Sequence, residues 1–210
     1  MAGSARWQLV VIGASWGGMD ALRYLLGLLP ATFCASVLVA QHRSEESSPA
    51  DFARLLGAHC NMAVLDADDG TRIEPGRVLV APAGYHLLVE PDHVRLSTDG
   101  RRKYARPYID MMFESAADAY GHHVMAVVLT GLNDDGADGV RAVKRAGGFV
   151  AVQDPAEAER DEMPRAAIAT GAVDRVLTLE RIAGLLAVAC GANTAPPRLD
   201  GAPTSVGRAS

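Results

Sequence analysis

Two hundred and ten residues suit one large domain or two small ones, and bury about 70% of the unfolded surface without a disulfide or metal staple. Hydrophobic residues at 49% and charged residues at 21% exclude disordered, collagen-like and coiled-coil classes. The formal charge of -5, from 20 basic and 25 acidic side chains, lacks the basic excess of a nucleic-acid binder.

Two hydrophobic patterns alternate along the chain. Gln8–Ile12, Ser36–Ala40, Val78–Ala81, Met125–Leu129, Phe149–Val152 and Val173–Leu177 are short, unbroken apolar runs rich in Val and Ala. Such runs suit strands covered on both faces, as in a parallel sheet. Between them lie helical stripes at three- and four-residue spacing. Leu22, Leu25, Leu26 and Leu29 form one, and Phe52, Leu55 and Leu56 a second. Ile109, Met112, Phe113 and Ala116 form a third. Val140, Val143 and Ala146 form a fourth, stopped by Gly147-Gly148. The alternation predicts an α/β fold: a doubly wound, mainly parallel sheet flanked by helices. Asn61–Thr98 is richer in turn signals, among them Asp69-Gly70, Pro75-Gly76 and Pro91-Asp92, which predicts a small antiparallel hairpin region. Asp99–Pro107 reads as an exposed loop, and residues 191–210, without periodicity, as a disordered tail.

Cys34, Cys60 and Cys190 are scattered, with no metal-ligand spacing, and read as reduced thiols. No leader pattern opens the chain and no apolar run approaches the ~18 residues of a membrane helix, so a cytoplasmic protein without membrane insertion is expected.

Candidate chemistry sits at three strand ends. Gly13-Ala14-Ser15-Trp16-Gly17-Gly18 follows the first strand and opens a helix, placing Ser15 where open α/β sheets hold reacting groups. Helix N–H groups behind it suit a developing oxyanion. The alternative is a tight turn with a capping serine. A dinucleotide loop fits poorly, because it needs glycine at Ser15 and an acid within Phe33–Ala40, where none occurs. The second strand ends in Gln41-His42, beside Ser15 if the strands are neighbours. The other histidines, His59, His86, His93, His122 and His123, read mostly as surface or locally bonded groups. The third end, Thr130-Gly131-Leu132-Asn133-Asp134-Asp135-Gly136, offers a carboxylate to orient the histidine, or merely a helix cap. The chain order Ser…His…Asp disfavours the α/β-hydrolase fold, whose order is Ser…Asp…His.

The segments Val11-Ile12-Gly13-Ala14-Ser15 with Gly17-Gly18, Gln41-His42, Arg106-Pro107 with Asp110, Leu129-Thr130-Gly131 with Asp135-Gly136-Ala137, and Met163-Pro164-Arg165 together resemble the CheB protein-glutamate methylesterase catalytic domain. They run in the family's order from about Gln8 to Ala189. The resemblance implies a cofactor-free, metal-free serine hydrolase that removes methyl esters from chemoreceptor glutamates and deamidates glutamines. Ser15 would be the nucleophile, His42 the base and Asp135, rather than Asp134, the orienting acid. Backbone groups of the Trp16-Gly17 and Gly131-Leu132 turns would hold the oxyanion. It implies one catalytic domain over residues 1–190, standing alone, with a chemoreceptor's cytoplasmic part as partner. Two segments depart from the family: Trp16, where a small hydroxyl residue is usual, and Arg43-Ser44-Glu45-Glu46, which replaces a proline-containing loop. A third departure is that no receiver domain precedes the catalytic unit. The alternative is a binding or scaffold module on the same fold.

Overall fold

The computed structural model describes residues 7–43, 49–100 and 105–189. Nine strands and six helices are present among them: β1 (Leu9–Ala14), α1 (Gly18–Gly27), β2 (Ser36–Gln41), α2 (Pro49–Gly57), β3 (Ala63–Asp66), β4 (Arg77–Val80), β5 (His86–Glu90), β6 (His93–Ser97), α3 (Ile109–Tyr120), β7 (Val124–Val128), α4 (Ala137–Arg145), β8 (Phe149–Gln153), α5 (Glu162–Ala169), β9 (Arg175–Leu177) and α6 (Leu179–Ala189). Seven strands form one parallel sheet in the order β3-β4-β2-β1-β7-β8-β9, and β5 and β6 form a separate antiparallel hairpin.

The inner strands are apolar through their middles because both faces are covered. In β1, Val10 and Ile12 pack in one layer with Leu22, Leu25 and Leu26 of α1 and Ile182 and Leu186 of α6. Leu9 and Val11 point into the opposite layer, with Ile109, Met112 and Phe113 of α3, Val140 and Val143 of α4 and Leu87 of the hairpin. Burial of each such side chain contributes about 1.5–3 kcal/mol, so the sheet is the stable platform on which the loops stand.

Strand order sets the place of the site. From β1 the chain moves outward to β2 and the edge strand β3, steps back to β4 between them, then passes through the hairpin and α3 to lay β7 on the other side of β1. The order reverses between β1 and β7, and open α/β sheets place their ligands at the carboxyl ends of the strands at such a point.

Three expectations need correction. The turn-rich Asn61–Thr98 region holds the expected hairpin, but Ala63–Asp66 adds a seventh parallel strand at the sheet edge, pairing with β4 from Ala63↔Arg77 to Asp66↔Val80. Its side chains are only half covered, so it lacks the apolar run of an inner strand. His86 is completely buried instead of lying at the surface; its Nδ1 accepts the Tyr108 N–H at 3.2 Å. Cys34 is disulfide-bonded whereas Cys60 is a free thiol. Spacing along the chain carries no information on that pairing, which depends on distance in space. Cys190, the 191–210 tail, the Ser44-Glu45-Glu46 part of the departing loop and the centre of Asp99–Pro107 lie outside the described residues.

Candidate active site

Ser15 stands one residue beyond β1 and His42 one residue beyond β2. The parallel register pairs Ala14 with Gln41, and the His42 N–H donates to Ala14 O at 3.0 Å, so the two side chains leave neighbouring strands side by side. The turn that carries Ser15 is braced from several directions. Ser15 N–H donates to Thr130 O at 3.0 Å, Gly18 N–H to Ser15 O at 2.9 Å, and the Gln41 carboxamide to Ser15 O at 2.6 Å. Gln41 is buried, so its amide group stabilises this turn in a low-dielectric setting where an unmade bond would be costly.

Asp135 reaches His42 from the loop between β7 and α4. The His42 Nε2–H donates to Asp135 Oδ2 at 2.7 Å. The carboxylate is only 1% exposed, yet it is fully partnered: Ile109 N–H donates to Oδ2 at 2.8 Å and Asp110 N–H to Oδ1 at 3.0 Å. Both donors belong to the first turn of α3, so the positive end of that helix faces the carboxylate. Asn133 Oδ1 accepts the Asp135 N–H at 2.8 Å and fixes the loop. Neighbouring Asp134 is exposed. Nε2 is thus the ring nitrogen engaged by Asp135.

A second carboxylate lies behind the first. Asp110 is 3% exposed; its Oδ1 accepts the Gly139 N–H at 2.7 Å, and its side chain also bonds the Tyr108 hydroxyl. Burial, with the adjacent Asp135 adding to it, pushes the Asp110 carboxyl up to about 7. Burial and the two carboxylates likewise push the Tyr108 phenol upward.

Of the expected oxyanion donors, Gly131 is already engaged: its N–H donates to Arg160 O at 3.0 Å. Its contribution is space, since a Cβ at this position would lie 2.7 Å from Ser15 Cβ and closer still to Met163 Sδ. The N–H groups of Trp16, Gly17 and Leu132 meet no acceptor among the described residues. Gly17 has φ +75°, a backbone conformation that a side chain would resist, and a Cβ there would lie 2.6 Å from Glu159 Oε2. The indole of Trp16 is 56% exposed, and its Nε1–H donates to Glu159 Oε1 at 2.7 Å. No group of three or more His, Cys, Asp or Glu side chains suited to a metal occurs among the described residues.

The CheB methylesterase family model matches residues 10–186. The chain belongs to the CheB methylesterase family. With that family comes the enzyme class, a carboxylic ester hydrolase. A protein of Leptospira interrogans (strain Fiocruz L1-130) is 41% identical over 180 residues, which cover 85% of this chain and 93% of that relative. The protein-glutamate methylesterase/protein-glutamine glutaminase 1 of Anaeromyxobacter dehalogenans is 42% identical over 183 residues; the alignment covers 86% of this chain but spans 52% of that longer relative. Among solved structures, the Thermotoga maritima CheB methylesterase catalytic domain superposes with a TM-score of 0.82 at 32% identity, covering 86% of this chain and 97% of that one. This family membership bears out the α/β, mainly parallel architecture expected from the sequence.

Of the expected residues, the structure joins His42 to Asp135 and sets Ser15 at the neighbouring strand end, while the bracing by Gln41, the Tyr108 partner of Asp110 and the Glu159 contact to Trp16 were not expected. Gln41 and Asp110 carried signals, in the Gln41-His42 pair and in the segment with Arg106-Pro107. No described helix is long and apolar enough to cross a membrane.

Proposed function

We propose that the chain hydrolyses γ-methyl esters of glutamate side chains on the cytoplasmic part of a methyl-accepting chemoreceptor, with Ser15, His42 and Asp135 as the reacting triad. The observation that carries this reading is the buried His42–Asp135 bond at the end of β2, beside a serine at the end of β1.

His42 Nδ1 takes the Ser15 hydroxyl proton as Oγ attacks the ester carbonyl. Negative charge forming on the carbonyl oxygen is held by N–H groups of the Trp16-Gly17 turn and Leu132, each donor being worth on the order of 10²–10³ in rate. The imidazolium, stabilised by Asp135, then protonates the methoxide, which leaves as methanol. Water attacks the acyl-enzyme by the same route, returning Ser15 and a glutamate carboxylate. With a glutamine amide the leaving group is ammonia, and the same steps give deamidation. Nothing in the sequence needs a metal or organic cofactor.

Labelling with a fluorophosphonate serine probe tests the assignment. Wild-type protein is expected to label and to release methanol from a glutamyl methyl ester peptide, whereas Ser15→Ala does neither and His42→Ala labels far more slowly. Equal labelling of Ser15→Ala and wild type would remove Ser15 from the role.

A further inference from the structure

We infer that Trp16, held in place by Glu159, is a specificity-determining residue that reads an apolar side chain flanking the glutamate ester in the substrate segment. The inference deepens the proposed function and rests on that reading of the site.

Four observations converge. First, the indole belongs to the residue next to Ser15, yet it is 56% exposed. A large aromatic surface left in water beside a nucleophile is a surface for something else to cover. Second, that indole is held in place: Nε1–H donates to Glu159 Oε1 at 2.7 Å, and the Arg160 guanidinium carbon lies 5.8 Å from the ring centroid. A hydrogen bond across 143 positions and a cation beside the ring reduce the freedom the side chain would otherwise lose on binding.

Third, the latch is joined to the catalytic loops and is not a separate surface feature. Thr130 Oγ1 lies 3.0 Å from Trp16 O and 3.1 Å from Arg160 O, and it accepts the Arg160 N–H at 2.9 Å. Thr130 O in turn accepts the Ser15 N–H. One threonine therefore ties the nucleophile turn to the loop carrying Glu159 and Arg160. Glu159 also packs on Gly17, where any side chain would displace it. Fourth, Leu132 is a second exposed apolar side chain, in the loop whose Gly131 abuts Ser15. Two exposed apolar side chains thus flank, on separate loops, Ser15 itself and the Gly131 that abuts it. A glutamate ester reaching Ser15 brings the neighbouring residues of its own segment onto those surfaces, and an aliphatic neighbour gains where a polar one does not.

In this arrangement Trp16 contacts substrate and Glu159 is a positioning residue that acts through it. The contact is made before and during reaction alike, so its loss appears in KM.

The test uses two glutamyl methyl ester peptides that differ in one flanking residue, leucine or serine. Their selectivity ratio in kcat/KM is measured for wild type, Trp16→Thr, Trp16→Phe, Glu159→Ala and Glu159→Gln. Wild type is expected to prefer the leucine peptide by about tenfold, the scale of one anchoring aromatic contact. Trp16→Thr brings the ratio close to one through KM. Glu159→Ala and Trp16→Phe, which both lose the latch, fall between. Glu159→Gln keeps an acceptor oxygen for the indole and retains the preference. Binding of both peptides to Ser15→Ala and to Ser15→Ala/Trp16→Thr, followed by fluorescence anisotropy, requires no turnover. A leucine preference that survives Trp16→Thr, or its absence from wild type and Ser15→Ala, overturns the inference even where methanol release is observed. A Trp16-dependent binding preference without any methanol release overturns the hydrolase reading instead and leaves the recognition role standing.

Discussion

At the residue scale, the site depends on how a buried carboxylate is held. Asp135 accepts three hydrogen bonds, from His42, Ile109 and Asp110, so it orients the imidazole while itself being fixed to the start of α3. Asp135→Asn keeps the size but replaces one acceptor oxygen with an NH2 group that cannot accept the Nε2–H. The expected result is a loss of kcat of roughly 10³–10⁴-fold, with the imidazole in the wrong tautomer. Rates of methanol release at saturating ester check this, and a loss below tenfold would remove Asp135 from the orienting role. Gly131→Ala acts differently, by forcing a methyl group against Ser15 Cβ and Met163 Sδ. A displacement of about 1 Å at the nucleophile costs on the order of 10²-fold in rate. The expected variant is folded by circular dichroism and correspondingly slow. The residues named at this scale were legible unequally. Ser15 and His42 announce themselves because each closely follows an apolar run, whereas Asp135 is preferred to Asp134 only through the family resemblance. Glu159 does not, because its partner Trp16 lies 143 positions away.

At the element scale, α3 and α4 are joined through Asp110. Its Oδ1 caps the Gly139 N–H inside α4 while its own N–H holds Asp135. The carboxyl is pushed up to about 7, chiefly by burial and further by Asp135, against the lowering effect of the Gly139 N–H. In the unfolded chain the same group releases its proton near pH ~4. Between these values the folded state binds the proton and the unfolded state does not, so stability is complete below about pH 4 and declines as pH rises through about 7. Asp110→Asn is neutral throughout and retains an acceptor for Gly139. Its urea midpoint, relative to wild type, is therefore expected to rise between pH 5 and pH 8. A difference that stays flat across this interval would show that Asp110 does not titrate in it. The helical stripe of α3 was plain in the sequence, from Ile109 through Ala116, but its use as a carboxylate clamp was not. That use depends on its N-terminus meeting a loop 25 residues further along.

At the scale of the whole molecule, the site sits at the end of a sheet with two separate packed layers, and stability and catalysis are borne by different residues. Leu25 of α1 is fully buried in the layer shared with α6. Leu25→Ala is expected to cost about 2–5 kcal/mol through lost burial and the cavity left behind. The urea midpoint falls with little change in slope, while the protein that remains folded keeps its probe labelling at Ser15. Loss of labelling in proportion well beyond the loss of folded protein would show that α1 packing reaches the nucleophile turn.

The sequence by itself determined the local features: which runs become buried strands, which stripes become helices, and which loops bear the serine, histidine and aspartate. It could do so because hydrophobic period and turn chemistry act over a few residues. The edge strand Ala63–Asp66 escaped this reading because half-covered side chains need no apolar run. The tertiary structure decided what depends on meetings across the chain. The return of the chain to lay β7 beside β1 brings Asp135 to Nε2 of His42. It also brings Glu159 to the indole of Trp16. These pairs lie 93 and 143 positions apart, and no local pattern encodes which side chains a crossover will bring together.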